Sequence, residues 1–276
     1  MPQDLYRNRD FIPDFDALMA ETAARSRELA ARVELRADVA YGPSPRQRMD
    51  ILIPPNPAKG APLHLFLHGG YWRSGSKADH HLVAAPVLAA GGIAAIAGYD
   101  LMPGTRLGPI VAQVRAAARH LVAMAPELGA DPARFSASGH SAGAHLASYL
   151  AARGPEEVAP DLPPLRGLLL VSGLYDLSGI PGSFLKDEAA MTAAEAAAWS
   201  PLVAEQVPEP LRIVTRGSEE TAPFHNQAQG FARLLQARGV PHLLREEPGL
   251  NHLSIVLSLA DPASPLGMLL SELTAG

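Results

Sequence analysis

Residues 134–143, Arg134-Phe-Ser-Ala-Ser-Gly139-His-Ser141-Ala-Gly143, carry the pattern Gly-x-Ser-x-Gly at the point where a predicted strand, Arg134–Ser138, gives way to a helical pattern, Ala142–Ala152. The five-residue pattern alone is weak, and its force comes from the strand before it and the helix after it. Such a turn holds the serine in a strained conformation and brings strand and helix close together, so side chains at 139 and 143 would have no room. The spacing therefore predicts that the Ser141 hydroxyl stands exposed at the end of a sheet.

Outward from this turn, short and fully apolar runs alternate with helical patterns. Leu63–Leu67 and Ile93–Gly98 read as strands before it, with helices over Leu82–Ala90 and Ile110–Ala125. After it come strands Leu168–Val171, Leu211–Thr215 and His242–Arg245, helices Ala189–Trp199 and Phe224–Arg238, and a last helix beyond Asn251. Strands that are apolar on both faces and separated by helices predict a parallel sheet covered on both sides. Val33–Ala40 and Arg48–Ile53, around Tyr41-Gly-Pro-Ser-Pro45, read as a hairpin that opens the sheet and brings the count to about eight strands. An amphipathic repeat through Leu18, Met19, Thr22, Ser26, Leu29 and Val33 predicts an N-terminal helical arm over about 13–32. The segment 177–198 is the candidate lid, and residues 1–276 are expected to form one domain.

Composition narrows the chemistry. Lys+Arg 23 against Asp+Glu 28 gives a net charge of −5, with no basic block, which argues against a nucleic-acid partner. Cys 0 excludes disulfides, thiolate metal sites and a cysteine nucleophile. No apolar run approaches the ~20 residues of a membrane helix, and the first ten residues lack the apolar stretch of a secretory signal, so a cytoplasmic protein is expected.

A serine hydroxyl needs a base to take its proton and a carboxylate to hold that base, in the chain order serine, acid, histidine. His252, in a loop between the last predicted strand and the last helix, is the expected base. Glu220, three residues beyond the turn glycine of Leu211-Arg-Ile-Val-Thr-Arg-Gly217, is the favoured acid; Glu219, beside it, and Asp176, after the preceding strand, remain open alternatives. The strand Leu65–Leu67 empties into His68-Gly69-Gly70-Tyr71-Trp72, and adjacent glycines let backbone N–H groups approach a developing oxyanion. Gly70 and Tyr71 are the expected donors, with Gly69 shaping the turn and Ala142 supplying a further N–H. His68 is expected to hydrogen-bond this loop. Trp72, His140 and Tyr175 are candidate pocket residues, while His145, His80, His81 and His225 lack metal-ligand spacing and no metal is expected.

His68-Gly-Gly-Tyr-Trp72-Arg, Gly139-His-Ser-Ala-Gly143, Ser172-Gly-Leu-Tyr-Asp-Leu and Asn251-His252 together resemble the kynurenine formamidase (arylformamidase) group of α/β-hydrolases, related to hormone-sensitive-lipase-type esterases. The likeness runs from about Gln47 to His252. It implies an α/β-hydrolase fold and cofactor-free hydrolysis of a small acyl substrate, either an aryl N-formyl amide or a small carboxylic ester. Family members typically present aspartate as the triad acid, whereas Glu220 stands at that position here. A homodimer is a mild expectation, since the N-terminal helix could cap its own sheet or pair with a neighbour.

Overall fold

The computed structural model describes residues 3–276, and these build one eight-stranded sheet. The strands are β1 (Glu34–Ala40), β2 (Arg48–Ile53), β3 (Ala61–Leu67), β4 (Ile93–Ala97), β5 (Ala130–His140), β6 (Gly167–Val171), β7 (Leu211–Gly217) and β8 (His242–Glu247). Their order across the sheet is β1-β2-β4-β3-β5-β6-β7-β8. The β1–β2 and β2–β4 pairings are antiparallel and the other five are parallel. The opening hairpin and the mostly parallel sheet are thus those expected from the alternation of apolar runs.

Among the described residues nine α-helices accompany the sheet: α1 (Phe15–Ala30), α2 (Ala84–Ala89), α3 (Leu107–Ala123), α4 (Ala125–Leu128), α5 (Ala142–Ser148), α6 (Ala193–Ala198), α7 (Ala222–Ala237), α8 (Ser254–Leu259) and α9 (Pro265–Ala275). Side chains of a strand alternate between faces, and the central strands show it. Leu63, Leu65 and Leu67 of β3 join the core beneath α3, α5 and α7, while Phe66 joins the core beneath α2, α8 and α9. Both faces of β3 are buried along its whole length, which is why its sequence reads as continuous rather than alternating apolar.

Several expected helices are shorter than their apolar pattern. Leu82–Ala90 begins as a 3-10 turn over Lys77–Val83 and becomes α2 only at Ala84; Ala142–Ala152 ends as a 3-10 turn at Tyr149–Ala151. Ala189–Trp199 reduces to α6, whose start is fixed by Thr192, the side chain of which accepts from the Glu195 N–H. The helix expected after Asn251 is two, α8 and α9, with Ser264 capping the second. The N-terminal arm forms as α1, and Ser26 near its end donates to the Asp79 carbonyl at 2.8 Å, seating it on the 3-10 turn 77–83. No helix among the described residues is long and apolar enough to cross a membrane.

Burial of histidines gives the fold a pH dependence. Burial holds His64 and His68 down to about 3 and His145 down to about 4, and it also depresses His140 well below the usual imidazole value. The unfolded chain binds protons at these rings from about pH 6.5 downward while the native chain does not. Stability from the neutral rings is therefore complete above about pH 6.5 and is lost as the pH falls toward the native values, at up to about 1.4 kcal/mol per pH unit for each ring. The thermal unfolding midpoint should be flat between pH 8 and 7 and drop steeply from 6.5 to 5; a midpoint constant across that range would show that the rings are accessible to protons in the native state.

Candidate active site

Ser141 lies at the junction of β5 and α5 with φ 57° and ψ −121°, a conformation that side chains rarely adopt. The strain is tolerated because the chain around it has no freedom. A Cβ at Gly143 would lie 2.0 Å from the Leu67 carbonyl oxygen of β3, and a Cβ at Gly139 would lie 2.3 Å from the Gly143 oxygen. The Ser141 N–H is tied to the Val171 carbonyl of β6 at 2.9 Å. β3, β5 and β6 thus hold this residue from three sides.

His252 follows β8 in a turn organised by Asn251, whose side-chain oxygen accepts from the N–H groups of Leu253 and Ser254, each at 2.9 Å. Its Nε2 is 3.0 Å from Ser141 Oγ and its Nδ1 is 2.9 Å from Glu220 Oε2. A carboxylate only accepts, so the Nδ1 side carries the proton and Nε2 presents its lone pair to the serine hydroxyl. The other oxygen of Glu220 accepts from Ser172 Oγ at 2.5 Å and from the Gly217 N–H at 2.8 Å. Burial alone would push the Glu220 carboxyl up; the His252 charge and the hydrogen bonds from His252, Ser172 and Gly217 outweigh it and hold the carboxyl below its usual range. The structure brings Glu220, not its alternatives, to His252: Glu219 is exposed, and Asp176 accepts from the Ser178 N–H at 2.9 Å in a turn of its own. Ser172, with φ 52°, is a functional neighbour that the sequence did not single out; its position directly after the apolar run of β6 was the available signal.

At the end of β3 the chain turns through Gly69 and Gly70, and Gly70, Tyr71 and Trp72 all have positive φ, at 114°, 50° and 59°. The Gly70 carbonyl accepts from the Arg73 and Ser74 N–H groups, both at 3.1 Å, which turns the N–H groups of this loop the other way. Among the described residues, the N–H groups of Gly70, Tyr71 and Ala142 have no hydrogen-bond partner. Gly69 packs against the nucleophile turn, since a Cβ there would stand 3.1 Å from Ser141 Cβ. His68 bonds the loop as expected, its Nδ1 lying 2.7 Å from the Gly69 carbonyl.

A cavity of about 490 Å³ opens over these groups, with Gly69, Gly70, Tyr71, His140, Ser141 and His252 in its wall. Two pocket expectations are corrected. Trp72 is fully buried in the core, where its Nε1–H donates to His145 Nδ1 at 3.1 Å, so it anchors the loop after β3 from behind. Tyr175 is likewise fully buried, with its ring stacked on Phe231 at 4.2 Å. From the candidate lid 177–198, Phe184 and Glu188 reach the cavity, while Leu177, Ile180, Leu185 and Ala189 pack into the core. The rest of the roof was not foreseen: Arg7, Asn8, Arg9, Phe15, Met19 and Thr22 of the N-terminal segment and α1 close it. Met19, part of the apolar repeat of the arm, is 44% exposed and faces this cavity rather than the core. His81 pairs with Asp50 at 2.7 Å, His225 accepts from Arg216 Nε at 2.8 Å, and His145 is core. No group of three metal-ligating side chains occurs among the described residues.

Residues 49–162 match the family model BD-FAE. The kynurenine formamidase of Salmo salar is 28% identical over 273 residues, covering 96% of this chain and 89% of that one, and that of Danio rerio is 27% identical over 81% and 76%. The structure of a candidate thioesterase from Silicibacter sp. superposes with a TM-score of 0.80 at 27% identity, covering 97% of this chain and 98% of that one. The chain has the α/β-hydrolase fold and is similar over most of its length to kynurenine formamidases. A carboxylesterase from a metagenomic library shares the fold, with a TM-score of 0.68 at 22% identity over 94% and 95% of the two chains.

The close approach of Gly143 to the backbone of β3 sets a test. Gly143→Ala should cost about 3 kcal/mol or more in chemical denaturation, because the added methyl meets backbone rather than a movable side chain. A variant within about 1 kcal/mol of the parent would show that α5 can move away from β3 without loss.

Proposed function

We propose that the chain cleaves an aryl N-formyl amide of the N-formylkynurenine kind, or a small carboxylic ester, through an acyl-enzyme on Ser141. The observation that carries this reading is the line Ser141 Oγ, His252, Glu220 at the floor of a cavity, with distances of 3.0 and 2.9 Å. His252 Nε2 takes the hydroxyl proton as Ser141 Oγ attacks the carbonyl carbon, and Glu220 stabilises the imidazolium that forms. The oxygen of the tetrahedral intermediate is stabilised by the unpartnered N–H groups of Gly70, Tyr71 and Ala142, donors typically worth ~2.7–4 kcal/mol each. On collapse the carbon–nitrogen or carbon–oxygen bond breaks and the leaving group takes the proton from Nε2. Water then repeats the cycle on the acyl-enzyme, returning the acid and the free serine. A glutamate serves as the acid because Ser172 and Gly217 fix its second oxygen, which compensates for the extra rotatable bond of its side chain.

A general short-chain carboxylesterase is the second reading, favoured by the esterases that share the fold. The ratio of kcat/KM on N-formylkynurenine to that on phenyl acetate separates the two: a ratio above one supports the formamidase, a ratio far below it the esterase. Ser141→Ala should lower kcat on both substrates by at least about 10³-fold and abolish labelling by a fluorophosphonate, and Glu220→Gln should lower kcat by about 10³ to 10⁴-fold with the fold intact. Retained turnover in Ser141→Ala would falsify the covalent mechanism.

A further inference from the structure

His140, directly before the nucleophile, is 4% exposed and lies in the cavity wall. Its Nε2 is 2.9 Å from the backbone carbonyl of His252. A carbonyl only accepts, so Nε2 carries the hydrogen, and in the neutral ring Nδ1 is then a bare lone pair. Burial first, and then the neighbouring His252 and His80, keep this ring from taking a second proton. Nδ1 has no hydrogen-bond partner among the described residues. It stands 3.1 Å from the position a Cβ would take on Gly69, the same distance as Ser141 Cβ from that point, so it borders the floor on which the acyl carbon must sit. The His140 ring is also 4.7 Å, centroid to centroid, from the His252 ring that must protonate the leaving group.

Nδ1 is absent from the sealed, unpaired side-chain atoms of the described residues, so it is an acceptor open to the cavity. A substrate donor gains most at such an acceptor when it replaces solvent there. The donor that fits is one carried beside the carbonyl that Ser141 attacks, on the side of the His252 ring. In an amide the group that fits is the hydrogen on the scissile nitrogen. In an ester the leaving oxygen carries no hydrogen, and the acceptor gains nothing.

We propose that His140 Nδ1 accepts the N–H of the scissile amide, making His140 a specificity-determining residue that favours secondary formamides over esters. This rests on the hydrolase reading above and names which leaving atom the site is built to hold. As the tetrahedral intermediate collapses, the carbon–nitrogen bond breaks, the nitrogen lone pair takes the proton from His252 Nε2, and the original N–H remains on the departing amine, oriented by His140. The hydrogen bond aligns the nitrogen so that its lone pair faces His252 at that moment.

Two substitutions separate this role from the support His140 gives to the His252 turn. His140→Gln places an amide nitrogen near the position of Nε2 and leaves no acceptor at Nδ1; His140→Asn places an acceptor near Nδ1 and loses the bond to the His252 carbonyl. The readout is the ratio of kcat/KM for N-formylkynurenine to that for phenyl acetate, measured on the full chain. The ratio should fall about tenfold in His140→Gln, the size of one neutral hydrogen bond. In His140→Asn both rates should fall together with the ratio changed less than threefold. An unchanged ratio in His140→Gln overturns the proposal, as does an equal loss of ratio in both variants, which would assign His140 to the turn alone. Absence of turnover of both substrates by the parent chain would instead overturn the hydrolase reading.

Discussion

The contact on which the rest of this molecule depends is the approach of α5 to β3. With no side chain at 143, the first turn of α5 rests on the Leu67 and His68 carbonyls, and with none at 139 the strand end folds under that turn. This closeness forces Ser141 into its positive φ, a strain of roughly 1–3 kcal/mol that only a surrounding structure can hold. The strain is met by hydrogen bonds from neighbouring strands, such as that of the Ser141 N–H to Val171. Because β3, β5, β6, β7 and β8 run parallel, the loops that leave their carboxyl ends emerge at one edge. Four such loops carry positions 70, 141, 220 and 252, and the parallel strands bring them together at that edge.

Next to Ser141 and His252 the buried charge is that of Glu220. Glu220 is buried, and an isolated buried carboxylate would be too costly to remain ionised. Three hydrogen bonds, from His252, Ser172 and Gly217, offset that cost and keep it charged. Around it the rings of His68, His140 and His145 stay neutral through burial, each donating one N–H to, or accepting one from, a fixed partner. The buried carboxylate of Glu220 therefore faces the one ring that also reaches Ser141, which is the arrangement the proposed function requires.

Much of this was legible in the sequence because it is set by local rules. The Gly-x-Ser-x-Gly turn, the paired glycines after β3 and the apolar runs of the buried strands each follow from what a short stretch of chain can adopt, so Ser141, His252 and the sheet could be read directly. Glu220 was separable from Glu219 only by its distance from Gly217. What the sequence hid depends on long-range packing. Trp72 and Tyr175 are aromatic residues beside a site, and whether an aromatic ring lines a cavity or backs it depends on which way the chain turns: at Trp72 a φ of 59° carries the ring inward, to His145. Ser172 bonds a carboxylate 48 positions away, a pairing that no periodicity reports.

The N-terminal segment is the clearest case, because an amphipathic pattern states that a helix has an apolar face without stating what it covers. Here residues 4–9 reach across three separate loops of the site. Asp4 accepts from the Phe184 N–H, the Leu5 carbonyl accepts from Thr221 Oγ1 at 2.7 Å, and the Tyr6 carbonyl accepts from the Tyr71 phenol at 2.6 Å. Tyr71 carries one of the free N–H groups and has an unfavourable φ of 50°, so a bond at the far end of its side chain restrains the loop in the conformation that aims that N–H. Thr221 directly follows Glu220, so the same segment also steadies the loop of the acid. Arg7 and Arg9 extend from this segment over the cavity. Residues 4–6 and the loops of Tyr71, Phe184 and Thr221 are therefore tied together by hydrogen bonds, beside Ser141, His252 and Glu220 rather than between them.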